Sequence, residues 1–177
     1  MKKNLLVLIL ALALALTACG GSDAPEANNP QQPEASQGSE QPGAVEENEA
    51  YEFVSGSAAV RVNADMADVL AALGDPISYF EAESCAFEGL DKTYTYAGFV
   101  VSTRPEGEKD LVNSILLTDD SVTTKEGIYV GSAKADVIAA YGEVDVLGVL
   151  MSYTKGDCTL NIILEGDKVL SIEYLPA

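Results

Sequence analysis

The 177-residue chain contains no histidine. That removes the commonest general base, the usual neutral metal ligand and the ordinary pH switch together. Basic residues are scarce as well, ten Lys and Arg against 28 Asp and Glu, for a formal net charge of −18. Lys2 and Lys3 account for two of the ten, so the chain beyond them carries −18 − 2 = −20. Such a surface repels nucleic acid and anionic headgroups, whose binding needs clustered Lys and Arg, and it keeps an exported protein soluble. No Gly-x-Ser-x-Gly, phosphate-binding glycine loop or EF-hand calcium loop is present, and no cofactor is expected. Cysteine occurs three times, at Cys19, Cys85 and Cys158, too few without histidine for a structural zinc site.

What is present begins with an address. Lys2-Lys3 precedes an unbroken apolar run over residues 5–16, too short for a permanent membrane helix but suited to the apolar part of a signal peptide. It ends in Leu16-Thr17-Ala18-Cys19-Gly20, which resembles the bacterial lipobox. That resemblance implies cleavage after residue 18 and a diacylglycerol thioether on Cys19, with the membrane as partner and an extracytoplasmic location. Two acyl chains hold a protein stably where one gives marginal residence. Residues 19–50 are rich in Pro, Gln, Glu, Asn, Ala and Ser, with seven acidic residues and no Lys or Arg. Such a composition buries too little apolar surface to offset its ordering entropy. It reads as a tether spanning on the order of 30 Å. About 125 residues remain for a folded part, enough for a sizeable core.

That part contains an internal repeat. Ala67-Asp68-Val69-Leu70-Ala71-Ala72-Leu73-Gly74 returns as Ala135-Asp136-Val137-Ile138-Ala139-Ala140-Tyr141-Gly142, and Val112-Asn113-Ser114-Ile115 as Val169-Leu170-Ser171-Ile172. Tyr96 precedes Val112 by the same interval that separates Tyr153 from Val169, so order and spacing both repeat. Each copy predicts a short extended piece, then a helix with Asn63 or Ser132 as N-cap and Gly74 or Gly142 at its end. Met66, Val69, Leu70 and Leu73 form one helical stripe, and Val137, Ile138 and Tyr141 the equivalent face. Strands are predicted over residues 93–96, 99–103, 111–117, 159–164 and 169–175, the last two joined by a turn over residues 165–168. In the last strand Leu170, Ile172 and Tyr174 alternate against Val169, Ser171 and Glu173, one face buried and one wet. The expectation is an α+β fold of two tandem helix-then-antiparallel-meander modules, residues 51–124 and 125–177, with helices on one face of the sheet.

On these residues the chain is similar to the tandem modules of the secreted β-lactamase inhibitor proteins. It also resembles the small lipoprotein of the outer-membrane assembly machine, which carries a single such module, and, closer still, uncharacterised lipoproteins of anaerobic Gram-positive bacteria. The resemblance covers residues 51–177 and implies the fold alone, since function does not travel with fold.

Between Gly74 and Tyr96 the first copy is longer than the second, between Gly142 and Tyr153, by 22 − 11 = 11 residues. The added stretch carries Tyr79, Phe80, Phe87 and Leu90, which either pack on the sheet or form a contact surface. With Cys19 lipidated, a Cys85–Cys158 disulfide is expected in an oxidising compartment, worth roughly 2–4 kcal/mol, the alternative being two buried free thiols. Ser152-Tyr153-Thr154-Lys155 matches the Ser-x-x-Lys of penicillin-interactive enzymes. It falls at a predicted turn and lacks their companion motifs. Asp119-Asp120-Ser121 reads as a polar turn. Tyr94 and Tyr96 alternate along a strand and share a sheet face, followed by Phe99, and tyrosine favours interfaces. The sequence thus points to a non-enzymatic, lipid-anchored binding protein of the envelope. Its expected contacts to a protein partner are Tyr79, Phe80, Phe87, Tyr94, Tyr96 and Phe99. The alternative is an envelope hydrolase or accessory factor that uses carboxylates.

Overall fold

The structure, a computed structural model, describes residues 50–177. The leader, the lipobox with Cys19 and the tether up to residue 49 lie outside the described residues. The chain opens with a small hairpin, β1 (Phe53–Ser55) and β2 (Ala58–Val60), then helix α1 (Met66–Leu73). Four strands follow: β3 (Ser78–Glu83), β4 (Leu90–Tyr96), β5 (Phe99–Glu106) and β6 (Lys109–Leu117). Helix α2 (Lys134–Tyr141) precedes β7 (Leu150–Lys155), β8 (Cys158–Glu165) and β9 (Lys168–Pro176). Strands β3 to β9 form one antiparallel sheet in the order β3-β4-β5-β6-β9-β8-β7.

This architecture corrects the α+β expectation. Strand accounts for 48% and helix for 12% of the described residues, and the two helices among them have eight residues each. Nor do two helix-then-meander modules stand side by side. Strand β6 pairs with β9 through Ile115↔Tyr174, Leu116↔Glu173 and Leu117↔Ile172, so one sheet runs through both copies of the repeat. The physical reason is the supply of buried apolar surface. Helix α1 buries only Met66 and Val69, and α2 only Val137. The strands bury Phe99, Val101, Val112, Ile115, Leu117, Met151, Leu160, Ile162, Ile172 and Tyr174 in the same cluster. Two-turn helices cannot define a layer, so here they act as partial lids on one sheet face.

Alternation explains which face that is. Along β5, Phe99, Val101, Thr103 and Pro105 are buried while Val100, Ser102 and Arg104 are not. Their partners Ile115 and Leu117 on β6 and Tyr174 and Ile172 on β9 continue the packed face. The opposite face carries Thr93, Ser102, Ser114, Asn161 and Ser152. A register shift between Ile163 and Leu164 modifies the last strand. It brings Val169 to 2% exposure and turns Leu170 out to 52%, against the alternation expected of that strand, because a bulge resets the phase.

Both helices end at the expected glycines. Gly74 and Gly142 adopt φ +78° and +90°, and their N–H groups donate to Leu70 O and Ile138 O at 2.8 Å. Both ends are also tied to the sheet by the same contact, Tyr96 OH donating to Gly74 O at 3.1 Å and Tyr153 OH to Gly142 O at 3.0 Å. The N-caps differ from expectation. Asp65 Oδ1 accepts from Ala67 N–H at 3.1 Å and is the cap of α1. Asn63 lies before it at φ +64°, its N–H bonded to Val112 O. In front of α2, Ser132 Oγ instead accepts from Tyr129 N–H at 3.0 Å.

Candidate functional site

The eleven additional residues of the first copy, read as an insertion, build strand β3 and the tip that joins it to β4. All six residues of β3 are exposed. Ser84 Oγ accepts from the N–H groups of Ala86 and Phe87 at 3.3 and 3.2 Å, folding the tip back on itself. Gly89 closes it at φ +125°, where a Cβ would meet Pro105 Cβ at 2.9 Å. Only glycine fits that approach. Within this hairpin Phe80 is 66%, Tyr79 49% and Phe87 48% exposed, with Ile77 at 74% just before β3. These exposed apolar side chains share one hairpin, with Tyr79 and Phe80, as neighbours in a strand, on opposite faces of it.

The other three aromatic candidates belong to the core instead. Tyr94 is 7% and Phe99 3% exposed, and Tyr96 is half-buried. Register explains the correction: Tyr94 pairs with Val101 and Tyr96 with Phe99, which sets Tyr94 and Tyr96 on the packed face. Tyr96 stacks on Phe99 at 5.0 Å between centroids and 10° between planes, and Phe99 meets Phe53 at 4.7 Å. Alternation shows that two residues share a face; it does not say which face. Tyr79 bridges the two sets, its ring 5.1 Å from that of Tyr94. Its hydroxyl donates to the Glu81 carboxylate, and that bond, reinforced by desolvation, raises the Tyr79 pKa. Beside them Lys92 Nζ lies 2.6 Å from Asp110 Oδ2.

The expected disulfide is absent. Cys85 and Cys158 are free, the first exposed at the hairpin tip and the second buried at the start of β8. Strands β4 and β8 are four places apart in the sheet, about 19 Å at ordinary strand spacing. A disulfide needs Cα atoms within roughly 7 Å. Burial and the neighbouring Asp157 push the Cys158 thiol up to about 11, leaving it protonated and unreactive at neutral pH.

Glu52, Asp65 and Asp119 are all held below the usual carboxylate range. Lys125 and Arg61 hold Glu52 there, the Ala67 N–H and Lys109 hold Asp65, and Ser121 holds Asp119. A general acid needs the opposite shift. Glu52 lies in a polar hollow of about 310 Å³ with Tyr51, Arg61, Lys125, Glu126 and Lys155. Its carboxylate stands 2.6 Å from Arg61 and 2.8 Å from Lys125, while Glu126 accepts from Tyr141 OH at 2.6 Å. The Lys125 pair ties the start of β1 to the loop after β6, and the Arg61 pair ties it to the end of β2. The Ser-x-x-Lys tetrapeptide lies inside β7 rather than at a turn, with Ser152 Oγ bonded across the ladder to Asn161 Oδ1 at 2.7 Å. A nucleophilic serine needs a base, and this one meets an amide.

No protein family, curated protein or solved structure matches the chain, so its function has to be read from its own surface.

Proposed function

We propose that the protein is a non-enzymatic interaction module, held at the extracytoplasmic face of a bacterial membrane by a lipid on Cys19. It engages another envelope protein through the β3–β4 hairpin. The observation that carries this reading is the exposure of Tyr79, Phe80 and Phe87 on an element that contributes almost nothing to the core. Apolar aromatic area costs solubility when left in water, and a partner that covers it gains that area back. The chain's heavy negative charge keeps copies apart and leaves the surface to an unlike partner.

The test is cross-linked capture of the full chain on its own anchor in the native envelope. One stoichiometric partner, lost when Phe80 and Phe87 become Ala while the unfolding midpoint stays put, is the expected result. An empty capture under conditions that trap a known envelope complex overturns the reading.

A further inference from the structure

Resting on that reading, we infer that β3 is an acceptor edge. The partner supplies an extended segment in which basic and apolar residues alternate, and this segment adds to the sheet as an eighth strand beside β3.

The backbone argues for it first. Ser84 N–H donates to Gly89 O at 3.0 Å, which makes residues 84 and 89 a hydrogen-bonded pair. The register then runs unbroken from Glu83↔Leu90 to Ser78↔Thr95. In an antiparallel ladder such pairs alternate, so Ser78, Phe80 and Ala82 turn their N–H and C=O groups toward β4. Those of Tyr79, Glu81 and Glu83 turn away from the sheet. Among the described residues no strand pairs with β3 on that side. Of the usual guards of an exposed edge, β3 lacks Pro, Lys and a register shift and carries only the charges of Glu81 and Glu83, which a basic incoming strand satisfies and an acidic one does not.

Charge then chooses the occupant. Glu81, Glu83, Glu88 and Asp91 surround the hairpin, and Lys92 within it is already paired with Asp110. A second copy of the chain fits badly. In the two-fold register centred on Glu81, the two Glu81 side chains stand directly opposite, which is unfavourable, and each copy carries −18. An incoming strand meets Glu81 and Glu83 on one face of the pleat, Phe80 and Ala82 on the other. Lys or Arg satisfies the first face and an aliphatic or aromatic residue the second. Backbone pairing supplies affinity, and this alternation supplies specificity.

The probes are two capped synthetic peptides of about ten residues, one alternating Lys and Val and the other Glu and Val, titrated into the full chain and followed by amide hydrogen exchange. The Lys–Val peptide is expected to bind, to slow exchange at Tyr79, Glu81 and Glu83, and to weaken with salt, while the Glu–Val peptide does not bind. Glu81→Pro removes an outward N–H without touching the β4 ladder and is expected to weaken binding roughly tenfold beyond Glu81→Gln, which removes the charge alone. Should Glu81→Pro fail to fold, a Lys–Val peptide N-methylated along one edge makes the same test on the unaltered chain. Binding that survives both changes, with the three amides unprotected, is mere charge attraction and overturns the inference. So does a concentration-dependent dimer that Glu81→Pro dissolves. If Phe80→Ala and Phe87→Ala abolish envelope capture while the amides stay unprotected, the hairpin remains the contact surface and only the edge pairing falls. If capture ignores both Phe substitutions, the hairpin reading itself falls.

Discussion

At one edge of the sheet β7 keeps Met151 at 0% and Tyr153 at 7% exposure, while at the other all six residues of β3 stand in solvent. Both edges pair with one inner strand, β8 and β4, in continuous register. The difference lies in what covers them. Tyr141 at the end of α2 packs against Tyr153 at 5.2 Å, and Tyr51 packs edge-on against Tyr141 at 5.7 Å, so β7 is roofed by helix and chain entry. On β3 only Tyr79 finds a ring, that of Tyr94. A strand without burial on either face adds little to folding free energy. Its apolar side chains therefore contribute little to the core.

The sharpest way to break this comparison is to truncate one side chain at each edge. Met151→Ala should lower the unfolding free energy by about 3 kcal/mol, and Phe80→Ala should change it by less than about 0.5 kcal/mol, both read by urea denaturation. Similar losses at the two positions would mean that β3 belongs to the core after all.

A smaller effect is expected where the two copies are built alike. Tyr96→Phe and Tyr153→Phe each remove one hydroxyl-to-carbonyl bond at a helix end. Each should cost about 1 kcal/mol, and clearly unequal losses in paired denaturation curves would break the equivalence.

The roofed edge should also respond to acid. Glu52 is held below the ordinary carboxylate range by Lys125 and Arg61, so its contribution is full above its unfolded pKa of about 4.3. That contribution fades as pH falls through the lower folded value. Thermal midpoints should therefore drop below about pH 5, and Glu52→Gln should flatten that limb. An unchanged limb would mean that other carboxylates govern the acid response.

The smallest effect is expected from Tyr174→Phe. The Tyr174 hydroxyl is buried and has no hydrogen-bond partner, and burial raises its pKa. Removing it should leave stability unchanged or raise it by up to about 1 kcal/mol. A marked loss would reveal a bound water at that oxygen.

Strands β5, β6, β8 and β9 were legible because their alternation reports a buried face. So were the helix ends, where Gly74 and Gly142 take the left-handed backbone that stops a helix. Strand β3 was not, since neither of its faces is buried and a period of two has nothing to mark. Strand β1 has three residues, too few for a pattern, while the extended piece expected over residues 59–62 overlaps β2. Strand β7 was hidden by the turn signals Gly148 and Gly156 on either side of it. The dominance of the sheet was missed because two clear helical stripes suggested a helical layer, yet three buried residues are all they deliver. At the candidate site, the inserted aromatics Tyr79, Phe80 and Phe87 were visible as a feature needing an explanation. Assigning Tyr94, Tyr96 and Phe99 to the core needed the register.

The chain enters the fold at Ala50, whose Cα lies 3.0 Å from where a Cβ on Gly156 would stand. Gly156 turns β7 into β8, on the far side of the sheet from β3. Six interstrand steps separate the two edges, about 29 Å. Entry at the β7 edge leaves β3 at the other end of the strand order, clear of the first described residue.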